Sequence, residues 1–224
     1  MPDYTLNINL TKQQVDLFHT TGQNVIVAKP TQGGSSNVAW QVIRPLEGNH
    51  VKWDEQYGIY ASTAQIENGA ELTQMSQTPY PSMEGKTYPF SSQGTFGVPT
   101  GSGAKGTFYS SNSYENKQGY LTFGLFQAAV VNGETKEGNA ISAAPVLQGQ
   151  DVEMTPYTTL FVWLQSQVFS NTVVTNVTTP KTEVVFGGAT PEMSLAYDDA
   201  GHFVPEALEL PEGAAVNTHI PTLL

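Results

Sequence analysis

The sequence predicts an all-β fold: an antiparallel two-sheet β-sandwich of Greek-key type with one short N-terminal helix. Short apolar runs recur about every ten residues between polar turns, the spacing of a sandwich or barrel. Helical periodicity is convincing only once, near the N-terminus. Helices do not alternate with strands, as a parallel α/β sheet requires, and no internal repeat points to a propeller. The 224 residues suit one domain spanning 1–224. A chain of that length can bury a core without staples, and with no cysteine it has no disulfides.

The elements follow in chain order. Tyr4, Leu6, Ile8 and Leu10 alternate with Thr5, Asn7 and Asn9, the period of a half-buried strand. Thr11 followed by Gln14 forms a capping-box pair that opens a helix of about ten residues. Val15, Leu17 and Phe18 supply its apolar face, and Gly22 closes it in a left-handed conformation. A helix this short cannot hold itself in water and must pack on a sheet. Val25–Ala28 is a strand ended by Pro30, and Thr31 to Ser36 is a turn. Val38, Trp40 and Val42, then Val51 and Trp53, then Tyr57, Ile59 and Tyr60 continue the strand series, with a weaker strand over 71–78.

Residues 79–118 form a long Gly/Ser/Pro-rich excursion, expected to carry short strands over one end or edge of the sandwich. Its aromatics, among them Tyr80, Tyr88, Phe90 and Phe108, distinguish it from a disordered linker. Tyr120 to Val131 is the strongest strand, and Asn132-Gly133 marks a hairpin turn after it. Strands are expected at 141–147, 173–177, 183–186 and 193–197. Residues 159–169 are apolar on both faces, the pattern of a central strand, with a buried helix as competitor. From about 205 the chain reads as an irregular tail.

Charge narrows the function classes. Asp and Glu number 20 against 9 Lys and Arg, giving a net charge of −11, and Arg44 is the one arginine. Nucleic-acid binding needs clustered cations, and here they are scattered singly. No basic region followed by an apolar run opens the chain, and no stretch reaches the roughly 18–20 apolar residues of a spanning helix. A cytoplasmic or intracellular location without membrane insertion is the corresponding expectation.

The motifs of catalysis are weak. His19, His50, His202 and His219 show no metal-ligand spacing, and no Gly-x-Ser-x-Gly or His-Glu-x-x-His is present. Gly101-Ser102-Gly103-Ala104-Lys105-Gly106 matches Gly-x-Gly-x-x-Gly, but it lies in a Gly/Ser-rich tract with no helix pattern after it to hold a phosphate. The sequon Asn176-Val177-Thr178 carries little weight without a signal peptide. Asp198 and Asp199, before Gly201, read as an acidic β-turn or as two oxygen ligands for a hard cation. The expectation is a non-enzymatic binding protein.

Aromatic residues are the remaining candidates. Trp40, Trp53, Tyr57, Tyr60, Phe123 and Trp163 fall on expected strands. Core packing accounts for them, and so does a pocket for a flat apolar ligand or a platform for a sugar ring.

The stretches 24–29, 37–41 and 51–60, with the later runs 160–165 and 183–186, resemble a family of small fungal β-sandwich proteins that includes the pink chromoprotein of oyster mushrooms. The resemblance implies a homodimer holding a small conjugated organic chromophore non-covalently in an aromatic-lined cavity. Pigments with adjacent carbonyl oxygens chelate hard cations, so a divalent cation such as Mg²⁺ or Ca²⁺ beside the ligand is implied as well. No ligand position transfers residue by residue. A carbohydrate-binding lectin, or a membrane-acting defence protein of the same fold, is the alternative expectation.

Overall fold

The computed structural model describes residues 3–31, 37–187 and 190–206. The N-terminal alternation becomes strand β1 (Asp3–Asn9), whose Tyr4, Leu6 and Ile8 are buried while Thr5, Asn7 and Asn9 face outward. Helix α1 (Lys12–Thr21) follows. Thr11 Oγ1 accepts from Gln14 N, Gln14 Oε1 accepts from Thr11 N, and Gly22 ends the helix at φ +67°. Val15 and Phe18 dock inward, but Leu17 is 55% exposed. At 100° per residue Leu17 lies well round the helix from both, so the apolar face is narrower than the sequence suggested.

The remaining strands are β2 (Gln23–Ala28), β3 (Val38–Ala39), β4 (Gln41–Ile43), β5 (Gly48–Asp54), β6 (Gly58–Ser62) and β7 (Ser76–Gln77). Then come β8 (Thr87–Phe90), β9 (Phe108–Asn112), β10 (Tyr120–Val131), β11 (Glu134–Ala140), β12 (Ala144–Leu147) and β13 (Asp151–Met154). The last five are β14 (Thr159–Ser166), β15 (Thr172–Val173), β16 (Thr182–Val185), β17 (Glu192–Tyr197) and β18 (Phe203–Pro205). The described chain therefore holds 18 strands where about ten were expected. The surplus is mostly short pieces, together with β11, whose polar sequence Glu-Thr-Lys-Glu-Gly-Asn-Ala carries no apolar alternation.

The larger sheet runs β18-β17-β1-β5-β10-β6-β7, with β11 and β12 also paired to β10. A second sheet runs β16-β14-β2-β4. The two pack face to face as a sandwich. Leu6, Ile8, Val51, Ile59, Leu121 and Leu125 of the first meet Val25, Val27, Leu160, Val162 and Val184 of the second in one core. Burying each such aliphatic side chain contributes about 1.5–3 kcal/mol. Pairing is mostly antiparallel, but β1 and β17 run parallel, as do β8 and β9. A strand from each end of the sequence meets there without a hairpin to reverse it, which local patterning does not reveal.

The excursion at 79–118 contributes more than a cover. Strands β8 and β9, with β13, form a small sheet whose Tyr88, Phe90, Phe108 and Met154 enter the main core. The doubly apolar segment is strand β14, and the outer face of its sheet is buried too. There Ile26, Ala28 and Trp163 pack against Ala39, Val168 and Val174. The tail expected from about 205 falls, beyond residue 206, outside the described residues.

Candidate ligand-binding site

The six candidate aromatics are all buried, with Tyr60 at 0% and Trp53 at 4% exposure marking the range. The structure does not gather them around one cavity. Trp40, Trp53, Tyr57 and Phe123 lie in the main core, where Trp40 and Trp53 meet edge to face at 5.7 Å. Phe123 packs against Phe90 and Phe96. Tyr60 belongs to a separate cluster on the outer side of β6, its hydroxyl donating to Ser142 O at 2.7 Å. Trp163 lies on the outer face of the second sheet, its Nε1 donating to Gln165 Oε1 at 2.8 Å.

Three of the six surround a group that sequence reasoning passed over. Lys29 follows the apolar run of β2 and points into the core, fully buried. Its Nζ donates to Glu55 Oε1 at 3.0 Å, Tyr57 OH at 2.8 Å and Gln127 Oε1 at 3.0 Å, which uses all three protons. The rings of Trp40, Trp53 and Tyr57 lie 5.0–5.8 Å from the ammonium. Glu55 also accepts from Trp53 Nε1 at 3.0 Å and, through a short bond, from the Tyr57 hydroxyl. Gln127 closes the network, its Nε2 donating to Asp54 O at 2.5 Å and its backbone carbonyl accepting from Trp40 Nε1 at 3.1 Å. Burial pushes Lys29 down to about 8, opposed by Glu55, while burial and then Glu55 hold the Tyr57 phenol well above 10.0. The available signal was parity: Val25, Val27 and Lys29 share one side of the chain.

Asp198 and Asp199 occupy the turn between β17 and β18. Asp198 Oδ1 accepts from His202 N at 2.8 Å, and Gly201 sits at φ +88°. Among the described residues no three of His, Cys, Asp and Glu gather where a cation could sit. Two neighbouring carboxylates, one already holding its own turn, do not make the six or more oxygens that Ca²⁺ needs. The pair is a turn, and a resident cation does not fit it.

Three adjoining depressions lie on the outer face of the larger sheet. One depression of about 570 Å³ is lined by Thr5, Asn7, Asn9, His50, Glu192 and Ser194, among others. A second, of about 320 Å³, adjoins it through Thr5, Lys52 and Val130 and also meets Tyr4 and Trp53. A third, of about 400 Å³, shares Ala128 and Thr135 with the second and is bordered by Gln77, Tyr80, Phe126 and Glu137. The three adjoin one another through these shared residues, a trough-like run of depressions across β17, β1, β5, β10 and β11.

Register explains the trough. Asn7 is opposite His50 on β5 and Ser194 on β17, and Thr5 is opposite Lys52 and Glu192, so the outward side chains of three strands stand in rows. Asn7 Nδ2 donates to Glu192 Oε1 at 2.7 Å and Ser194 Oγ at 3.3 Å, while its Oδ1 lies 2.8 Å from His50 Nδ1. These bonds fix the amide and imidazole before any ligand arrives. At the other end Tyr80 is 39% exposed, yet its ring is stacked on Phe126 at 5.5 Å. Its hydroxyl donates to Gln56 O at 3.1 Å and accepts from Ala128 N at 3.4 Å. Phe126 rests on Gly58, where an added Cβ would come within 2.1 Å of the ring. Such an arrangement offers a held aromatic face and a row of oriented amide, hydroxyl and imidazole groups.

Among the described residues no helix is long and apolar enough to cross a membrane. Comparison with known proteins finds no family model, no curated relative and no solved structure that matches this chain.

Proposed function

We propose that this protein is a non-enzymatic carbohydrate-binding β-sandwich that takes an extended saccharide along the outer trough of its larger sheet. The carrying observation is the run of three depressions that share lining residues, with a pinned Tyr80 ring at one end and the preset Asn7–His50–Ser194 row at the other. Sugar rings present apolar C–H faces that stack on aromatics, and hydroxyls that pair with fixed amides and imidazoles. A linear oligosaccharide satisfies both ends where a monosaccharide reaches only one. Glycan-array screening followed by calorimetry tests this. Micromolar to millimolar binding that Tyr80→Ala weakens supports it, and folded protein that binds no glycan overturns it.

A second reading keeps the pigment. Trp53, with Tyr4, Ala129 and Val130, lines the depression of about 320 Å³, near the lower size of small-molecule sites. A conjugated chromophore held there, in a homodimer whose partner covers it, accords with the family resemblance. A visible absorption band that survives gel filtration supports that reading. A colourless preparation without extractable ligand removes it, and a monomeric mass by light scattering removes the dimer.

A further inference from the structure

The ionisable residues of the trough are unevenly divided. Among the described residues Asp3, Asp54, Glu137 and Glu192 line it against a single lysine, Lys52, and His50. Lys52 borders the first two depressions only, so among the described residues Glu137 is the one charged residue lining the Tyr80 end. The Tyr80 phenol is pushed upward first by burial, which the Ala128 N–H opposes, with a smaller push from the carboxylates of Asp54 and Glu55. Gln77 donates its amide nitrogen to Gln74 Oε1, leaving its own carbonyl oxygen to accept from a ligand. Gln74 is in turn fixed by donating to Gly138 O at 2.8 Å. An aromatic face, a carboxylate and an amide carbonyl thus converge on one depression, and each favours a cation.

From this convergence we propose that the Tyr80 end selects a sugar ring bearing a free amine, a 2-amino-2-deoxy sugar within an oligosaccharide, over acidic sugars. The proposal rests on the saccharide reading and names its specificity. The ring's C–H face stacks on Tyr80, the ammonium pairs with Glu137, and a neighbouring donor reaches Gln77 Oε1. Uronate-containing or sulfated chains meet repulsion from the same carboxylates.

Calorimetry with glucosamine oligomers and their N-acetylated counterparts, at low ionic strength, tests it. The free-amine series is expected to bind at least ten-fold tighter, with the advantage shrinking as salt rises. Glu137→Gln is expected to abolish the advantage while N-acetylated oligomers still bind, and Tyr80→Ala to weaken both series. Choline, an ammonium without a sugar, is expected to bind far more weakly than either. Equal affinity for the two series, preference for acidic chains, or choline binding as tightly as the oligomers overturns the proposal and leaves saccharide binding standing. Binding of no oligosaccharide at all retires the saccharide reading, and this specificity with it.

Discussion

The Lys29 cluster and the outer trough are built from the same kinds of residue, arranged to opposite ends. Around Lys29 a lysine, a glutamate, a tyrosine, a glutamine and two tryptophans spend their polar groups on one another. In the trough Asn7, His50 and Tyr80 are equally fixed, yet Tyr80 keeps a ring face open and His50 and Thr5 border solvent-filled space. The first arrangement joins two sheets: Lys29 leaves β2, and its partners stand on or beside β5, β6 and β10. The second faces away from the core on one sheet. A buried polar network must be complete because water cannot repair it, whereas an exposed one can keep capacity for a ligand.

Removing the centre of the closed network breaks this contrast most sharply. Lys29→Ala strands Glu55 among Trp53 and Tyr57 and is expected to cost about 3–5 kcal/mol in denaturant unfolding. Lys29→Met combined with Glu55→Gln is expected to recover much of that, because no lone charge is left. A double mutant no more stable than the single one would show that the charge pair is not the reason for the cost.

The same cluster sets a pH dependence. Lys29 is held at about 8 against an ordinary 10.5. Below pH 8 the folded and unfolded chains both keep its proton. Between 8 and 10.5 the unfolded chain binds a proton that the folded chain has released, so stability from this group rises with pH. Tyr57 and Tyr60, held above 10.0, act oppositely once pH passes 10. Relative to Lys29→Met, the wild type is expected to gain on the order of 2 kcal/mol between pH 8 and 10. A flat difference across that interval would contradict the lowered lysine.

A glycine sharpens the comparison on β10, the strand that carries both Gln127 of the network and Phe126, Ala128 and Val130 of the trough. Gly124 lies in β10, where an added Cβ would stand 1.9 Å from Ser142 O and 2.6 Å from Tyr60. Gly124→Ala is expected to cost about 1–3 kcal/mol, read as a fall in the unfolding midpoint. Tyr80→Ala, which removes one exposed stack, is expected to cost no more than about 1 kcal/mol of stability while lowering the proposed saccharide affinity ten-fold or more. Asn7→Ala is the mildest, within about 0.5 kcal/mol of wild type by thermal unfolding.

Much of the fold was legible because it is written locally. The Thr11–Gln14 cap, the Gly22 stop, the β1 alternation and the Asn132-Gly133 hairpin each occupy a few adjacent residues and appear as expected. Polar β11 was missed because it is held by pairing to β10, a relation its own residues do not record. Leu17 was placed on the buried face by hydrophobicity alone, and the helix phase leaves it exposed.

The site was less legible. The six aromatics are found on strands or beside them, and the doubly apolar pattern of 159–169 marked β14 as a strand covered on both faces, but not that Trp163 takes the outer face, away from Trp40 and Trp53. The acidic turn at Asp198 was visible as a turn, and its hydrogen bond to His202 N shows where one carboxylate is used.

By itself, the sequence determined the class of fold, the helix and its caps, the period-two strands and the acidic balance, since all of these rest on near neighbours in the chain and on composition. Only the tertiary structure decided what surrounds Lys29, which aromatics are sealed in, and that Asn7, His50 and Ser194 stand side by side. Those residues are separated by tens to nearly two hundred positions, and the register of β1 with β5 and β17 alone brings them together. Strand pairing between distant segments is a cooperative property of the folded chain, so this outer face exists only once the sheet is complete.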